Sequence, residues 1–279
     1  MKNDIAVKIF CCIKIFSAQK RTKVYEIVLL IHITIFFIFV IKKNNYVIII
    51  TKKLLEERCI LEDFGIDKSW IDAGLDINLI NEVMTIIAEK RIDRLILPSQ
   101  EDVLNAIKLT SLDNVKVLII GQDPYPSSEH AHGLAFSSLS AKTPASLKNI
   151  FKKLKEDFPE GKYESNTLTR WGEQGVVLLN TSLTFEGKDP KLLKEHTKLW
   201  EPVVKNIFEV LIKRNKTLVV MRWGNYAQKV GECFNNKPNV YTLDTTHPSP
   251  FSARNGFLTS SHFKLCNEIL VGSPICWDT

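Results

Sequence analysis

Four short apolar runs constrain what this chain can fold into more than any other feature: Val115–Ile120, Val176–Leu179, Thr217–Met221 and Val240–Leu243. All are rich in β-branched residues or leucine, and three of the four are bounded directly by Gly, Asn or Asp. Helical periodicity fills the gaps, at Ser146–Phe158, Lys194–Arg214 and Tyr226–Phe234, and precedes them at 78–91 and 101–109. Strands without polar alternation are buried on both faces, and strands that alternate with helices pair in parallel. The expected fold class is therefore α/β: a three-layer α/β/α single domain around a central four-stranded parallel sheet. No linker, repeat or low-complexity tract divides residues 54–279, so they form one domain.

Parallel sheets bind ligands beyond the carboxyl ends of their strands. The residues just after each run are thus informative. Gly121-Gln122-Asp123-Pro124-Tyr125 succeeds the first and Asn180 the second. Trp223-Gly224-Asn225 succeeds the third and His247-Pro248-Ser249-Pro250 the fourth. Four separate segments bring polar groups to one edge of the sheet.

Bulk charge does not identify a partner. The formal net charge is +6, but residues 1–53 hold ten Lys/Arg against two Asp/Glu, while the remainder holds 27 against 29. Any nucleic-acid contact must come from the local arrangement of donors. The six cysteines (Cys11, Cys12, Cys59, Cys233, Cys266, Cys276) form no C-x-x-C pair and no zinc spacing, as in an intracellular protein with reduced thiols. A nucleotide-binding α/β protein lacks support, since neither G-x-G-x-x-G nor a phosphate-loop lysine motif occurs.

The N-terminal 53 residues differ from the rest. Residues 24–41 form an apolar run interrupted by Glu26 and His32, with Lys42 and Lys43 after it. That length is at the lower edge for spanning a bilayer. Three readings stay open: a membrane anchor, a targeting extension, or an upstream stretch absent from the mature protein. The expected domains are an extension at 1–53 and a globular domain at 54–279.

Five motifs, in order, carry a family resemblance over about residues 60–279. They are Gly121–Tyr125 with Ala131–Ser137, then Pro144–Ile150, Leu178–Thr181, Trp223–Ala227, and His247–Phe251 with Gly256-Phe257 and His262-Phe263. They resemble the water-activating loop, proline-rich loop, uracil-reading strand, Gly-Ser loop and minor-groove intercalation loop of uracil-DNA glycosylases. The resemblance implies hydrolysis of the N-glycosidic bond of uracil in DNA, leaving an abasic site for base-excision repair.

Breaking that bond builds positive charge on the sugar and negative charge on the base. A carboxylate near the sugar stabilises the cation and orients or deprotonates water, a role for Asp123. A neutral imidazole donating to a uracil oxygen is the implied role of His247. The Asn180 amide offers a donor and an acceptor that match N3–H and O4 of uracil, whereas cytosine presents the opposite pattern. Phe136 is expected to stack on the base, Tyr125 to exclude the thymine methyl, and Gln122 to add contacts from its loop. A base within a duplex must be flipped out. Phe251 stands where the family has a leucine wedge, and Ser146, Gly224, Asn225 and Ser249 are expected to pinch phosphates.

Departures from the family pattern touch the rim: Pro126 for a usual His, Ser127 to His130 for a stretch richer in Gly and Pro, Asn225 for Ser, and Ala253-Arg254-Asn255 for a stretch with Tyr and Arg. A glycosylase-fold protein that binds DNA without cutting, as a processivity partner, is the alternative. The mismatch-specific branch would carry Asn in place of Asp123, and the iron–sulfur branch would need four clustered cysteines. The expectation is a monomer without cofactor or metal, acting on single- or double-stranded uracil-containing DNA. A proteinaceous glycosylase inhibitor is a further expected partner, membrane contact through residues 24–41 stays open, and the expected compartment is an intracellular one that holds DNA, the nucleus first, with the mitochondrion and the bacterial cytoplasm as alternatives.

Overall fold

In the computed structural model four strands pair in the order β2-β1-β3-β4, all parallel: β1 Val117–Gly121, β2 Val176–Asn180, β3 Leu218–Trp223 and β4 Val240–Thr245. Residues 64–187 and 189–279 are described. The extension at 1–53, with residues 24–41 and the cysteines 11 and 12, lies outside them, as does Cys59. Glu62–Thr279 forms one compact unit. Among the described residues no helix is long and apolar enough to cross a membrane.

Every residue of β1, β2 and β3 is buried, as continuous apolar runs require. Each strand also reaches further toward its carboxyl end than the apolar run alone, so Gly121, Asn180 and Trp223 end strands instead of opening loops. The expectation that β4 is buried on both faces is corrected: it is an edge strand, and unlike β2 at the other edge it leaves Tyr241 and Asp244 exposed. Arg222 holds this edge in register, donating from Nε and a terminal nitrogen to both Asp244 oxygens at 2.7 and 2.6 Å.

Eight α-helices are described: α1 Lys68–Asp72, α2 Ile77–Lys90, α3 Asn105–Lys108, α4 Ala145–Asp157, α5 Thr169–Glu173, α6 Pro190–Lys213, α7 Asn225–Val230 and α8 His262–Ile269. The chain leaves β1 toward β2, then crosses back over β1 to β3 and β4. By the right-handed rule for parallel crossovers, this order assigns α4 and α5 to one face of the sheet and α6 and α7 to the other. Contacts of α8 with α4 and of α2 with α6 extend the two outer layers.

Helix α6 starts one turn before the predicted Lys194. Asp189 caps it by accepting from the Lys191 N–H at 2.8 Å, and Pro190 takes the first turn, where a missing N–H costs nothing. The helix expected over 101–109 is two short pieces, a 3-10 turn at Gln100–Asp102 and then α3. Val103 and Leu104 are both buried, and the Asn105 amide turns aside to bond the Asp102 carboxylate and the His132 carbonyl, each at 2.9 Å. The predicted helix over Tyr226–Phe234 likewise ends at Val230 and continues as a 3-10 turn to Phe234.

Candidate active site

The order β2-β1-β3-β4 reverses direction at β1, and the crevice of such a sheet opens beyond the strand ends at that point. A cleft of about 260 Å³ lies there. That is below the usual range for drug-sized ligands and suits one flat ring. Gln122, Asp123, Tyr125, Phe136, Ser146, Asn180 and His247 all line it.

Asp123 sits just past β1, half-buried beside the buried Pro124. Its carboxylate pairs with no other described residue, and burial raises its pKa above the usual 3.8. Asn180 ends β2 with 6% exposure, opposite Gly121 in the register. The Asn180 amide bonds no described side chain or backbone group, leaving its donor and acceptor for a ligand. The position depends on Gly121. A Cβ there would meet Asn180 Oδ1 at 2.2 Å and Ala135 Cβ at 2.7 Å, so only a bare backbone leaves room. The Gln122 carbonyl accepts from the Ser182 N–H at 2.9 Å and the Thr181 hydroxyl at 3.0 Å, tying the two loops together.

Phe136 has φ 63°, the left-handed region that bulky residues avoid. Such strain persists where surrounding structure enforces it. The Tyr125 hydroxyl donates to the Phe136 carbonyl at 3.2 Å, and the ring of Phe136 packs 5.3 Å from Trp223 and 5.7 Å from His247. Burial also pushes the Tyr125 phenol well above its ordinary pKa, so it stays protonated.

His247 Nδ1 accepts from the Ser249 backbone N–H at 3.0 Å. A neutral ring then carries its proton on Nε2, leaving that atom as the donor. Burial lowers the His247 pKa below 6.5, which favours the neutral form. Asn149 Nδ2 donates to the Pro248 carbonyl at 2.8 Å and fixes this loop to α4.

The remaining expected residues form a rim outside the cleft lining. Gly224 packs against His247, with room for a Cβ only at 3.0 Å from His247 Cβ. Asn225 is exposed at the start of α7, and Ser249 shares hydroxyl contact with Ser252 at 3.1 Å. Phe251 is 96% exposed. Three contributors escaped the sequence reading as site residues. Gly121 is the first. His132 is the second: it lines the cleft and bonds Ser137 Oγ at 2.6 Å, while that oxygen accepts from the Leu168 N–H at 2.8 Å. Trp223, behind Phe136, is the third. All lie inside the motifs, but nothing in their residue types marks them as structural supports of the site.

The uracil DNA glycosylase superfamily profile matches residues 107–271. A uracil-DNA glycosylase of Yersinia pestis (strain Pestoides F) is 42% identical over 199 residues, covering 69% of this chain and 85% of that protein. The chain belongs to the uracil DNA glycosylase superfamily. A mimivirus uracil-DNA glycosylase shares the fold at TM-score 0.66 and 24% identity, over 80% of this chain and 91% of the other. A mimivirus UNG variant crystallised in complex with UGI matches at TM-score 0.67 and 25% identity, over 79% and 92%. The chain is thus a glycosylase that excises uracil from DNA, the opening step of base-excision repair.

Proposed function

We propose that Asp123, Asn180 and His247 carry this excision, with Phe136, Tyr125 and Gln122 shaping the uracil slot. The supporting observation is that an unpartnered carboxylate, an unpartnered amide and an imidazole with Nε2 as its free donor line one small cleft. The sugar–N1 bond breaks with its electron pair going to the base, whose developing oxyanion takes a hydrogen bond from His247 Nε2. Asp123 stabilises the sugar cation and accepts a proton from water as the hydroxyl adds to C1′. Asn180 reads N3–H and O4. Ser146, Gly224, Asn225 and Ser249 hold phosphates around the flipped nucleotide, and Phe251 fills the space it leaves.

The test is incubation of the full chain, with EDTA present, with end-labelled oligonucleotides carrying one uracil or one thymine, and then alkali. Cleavage at uracil alone, lost in Asp123→Asn/His247→Leu, supports the assignment. Unchanged cleavage in that variant overturns it. We place the activity in residues 54–279, so this fragment should cleave as the full chain does. Uracil-containing DNA in either strand state is the partner, and the inhibitor expected from the sequence would be a UGI-like protein on the same face. The compartment is one that holds DNA. The Yersinia relatives come from cells without a nucleus, and imaging of the tagged full chain decides between nucleus and cytoplasm.

A further inference from the structure

A second groove, about 590 Å³ and shallower, runs along α4. Phe151 and Tyr163 form its floor, their rings stacked at 6.1 Å, and Lys148, Lys152, Lys155 and Glu156 line it. The three lysines are exposed and spaced i, i+4, i+7, which puts them on one helix face. None of them pairs with another described residue. Their neighbour Lys153 shows the contrast. It turns inward and takes both nearby acids, Asp157 at 3.0 Å and Glu156 at 3.7 Å. The groove's one carboxylate therefore already has a cation, and three ammonium groups stay uncompensated in a domain whose net charge is slightly negative.

The helix that carries the groove also reaches the site. Ser146, in the first turn of α4, lines the cleft, and Asn149 fastens the same helix to the loop that carries His247 and Phe251. At 1.5 Å rise per residue, Lys148 to Lys155 spans about 10 Å. A DNA strand advances about 3.4 Å per nucleotide, so the strip matches about three phosphates. Lysine acts as a point charge toward phosphate and reads no sequence, as an enzyme that searches for uracil in any context requires.

We propose that Lys148, Lys152 and Lys155 form an auxiliary track for the sugar–phosphate backbone of the substrate strand, extending the grip beyond the phosphates pinched at the flipped uracil. The inference rests on the DNA-excision reading above. It predicts that the family's rim is supplemented here by a contact that depends on substrate length.

The test is the triple variant Lys148→Gln/Lys152→Gln/Lys155→Gln, with Lys213→Gln/Lys216→Gln/Lys237→Gln at the opposite ends of the strands as a charge-matched control. On a long uracil oligonucleotide the slope of log kcat/KM against log salt should become shallower by about 2 in the first variant. The wild-type advantage over it should then shrink more than tenfold for a fourfold rise in salt. On an oligonucleotide trimmed to the immediate neighbours of uracil, wild type and variant should be equal. An unchanged slope on the long substrate overturns the proposal, as does an equal change in the control. Equal losses on long and trimmed substrates also overturn it, because they place the effect in the cleft. Absence of uracil release by wild type would sink the excision reading alone, and the salt slope of DNA binding by fluorescence anisotropy would still decide the track.

Discussion

The floor of the cleft and its rim are built on opposite principles. Asp123, Asn180 and His247 project from the ends of strands at the sheet's carboxyl edge, and burial shifts the pKa of both titratable members. Phe251 and Asn225 stand in solvent on short segments after the strands. Groups that act on developing charge gain from a dry, fixed surrounding, because the work of orienting them is done in folding. Groups that meet DNA gain from reach. Substitutions in the floor should therefore act on the chemical step, and substitutions in the rim on substrate capture.

Asp123→Asn is the most severe way to probe the floor, and kcat should fall between about 10²- and 10⁴-fold with KM little changed. A KM effect without a kcat effect would move Asp123 to the rim. Loss of the His247 donor in His247→Leu should lower kcat by about 10²- to 10³-fold. Gly121→Ala tests the floor indirectly, since the added methyl displaces Asn180. A shift of that kind costs about 10² in kcat/KM, and discrimination of uracil from cytosine should weaken with it. Phe251→Ala should lower kcat/KM on duplex substrate by about tenfold, the scale of one stacking contact, and leave single-stranded substrate nearly unaffected. Equal effects on both substrates would show that the ring does not serve base flipping.

The mildest probe is pH. Asp123 must be ionised, and its pKa lies above 3.8, so activity is lost as pH falls through that raised value. The neutral His247 ring is protonated only below its own lowered pKa, beneath 6.5. Both groups favour higher pH, so kcat/KM should be flat above about 6.5 and decline within the window between the two ordinary values. An acid limb centred above 6.5 would contradict the buried, neutral assignment of His247.

The floor was far more legible in the sequence than its supports. Continuous apolar runs announce doubly buried strands, and the polar residues after them announce a site, because both signals are local. That β4 lies at the edge was not legible, since strand order depends on which crossovers form, and the run at Val240 looks like the others. The break at Val103-Leu104 was hidden because tertiary burial, and the pull of Asp102 and His132 on Asn105, override local helical spacing. Gly121 belongs to a recognisable motif, yet its reason, the 2.2 Å approach of the Asn180 oxygen, exists only between strands distant in sequence.

The left-handed backbone at Phe136 has a genetic consequence. One-base changes in a phenylalanine codon yield Leu, Ile, Val, Ser, Tyr or Cys. Ile and Val forfeit the aromatic face and also bring a branched Cβ into a conformation that branched residues tolerate least. Leu, Ser and Cys forfeit the face alone. Only Tyr preserves a flat ring, so drift at this codon has a single exit that keeps a stacking surface.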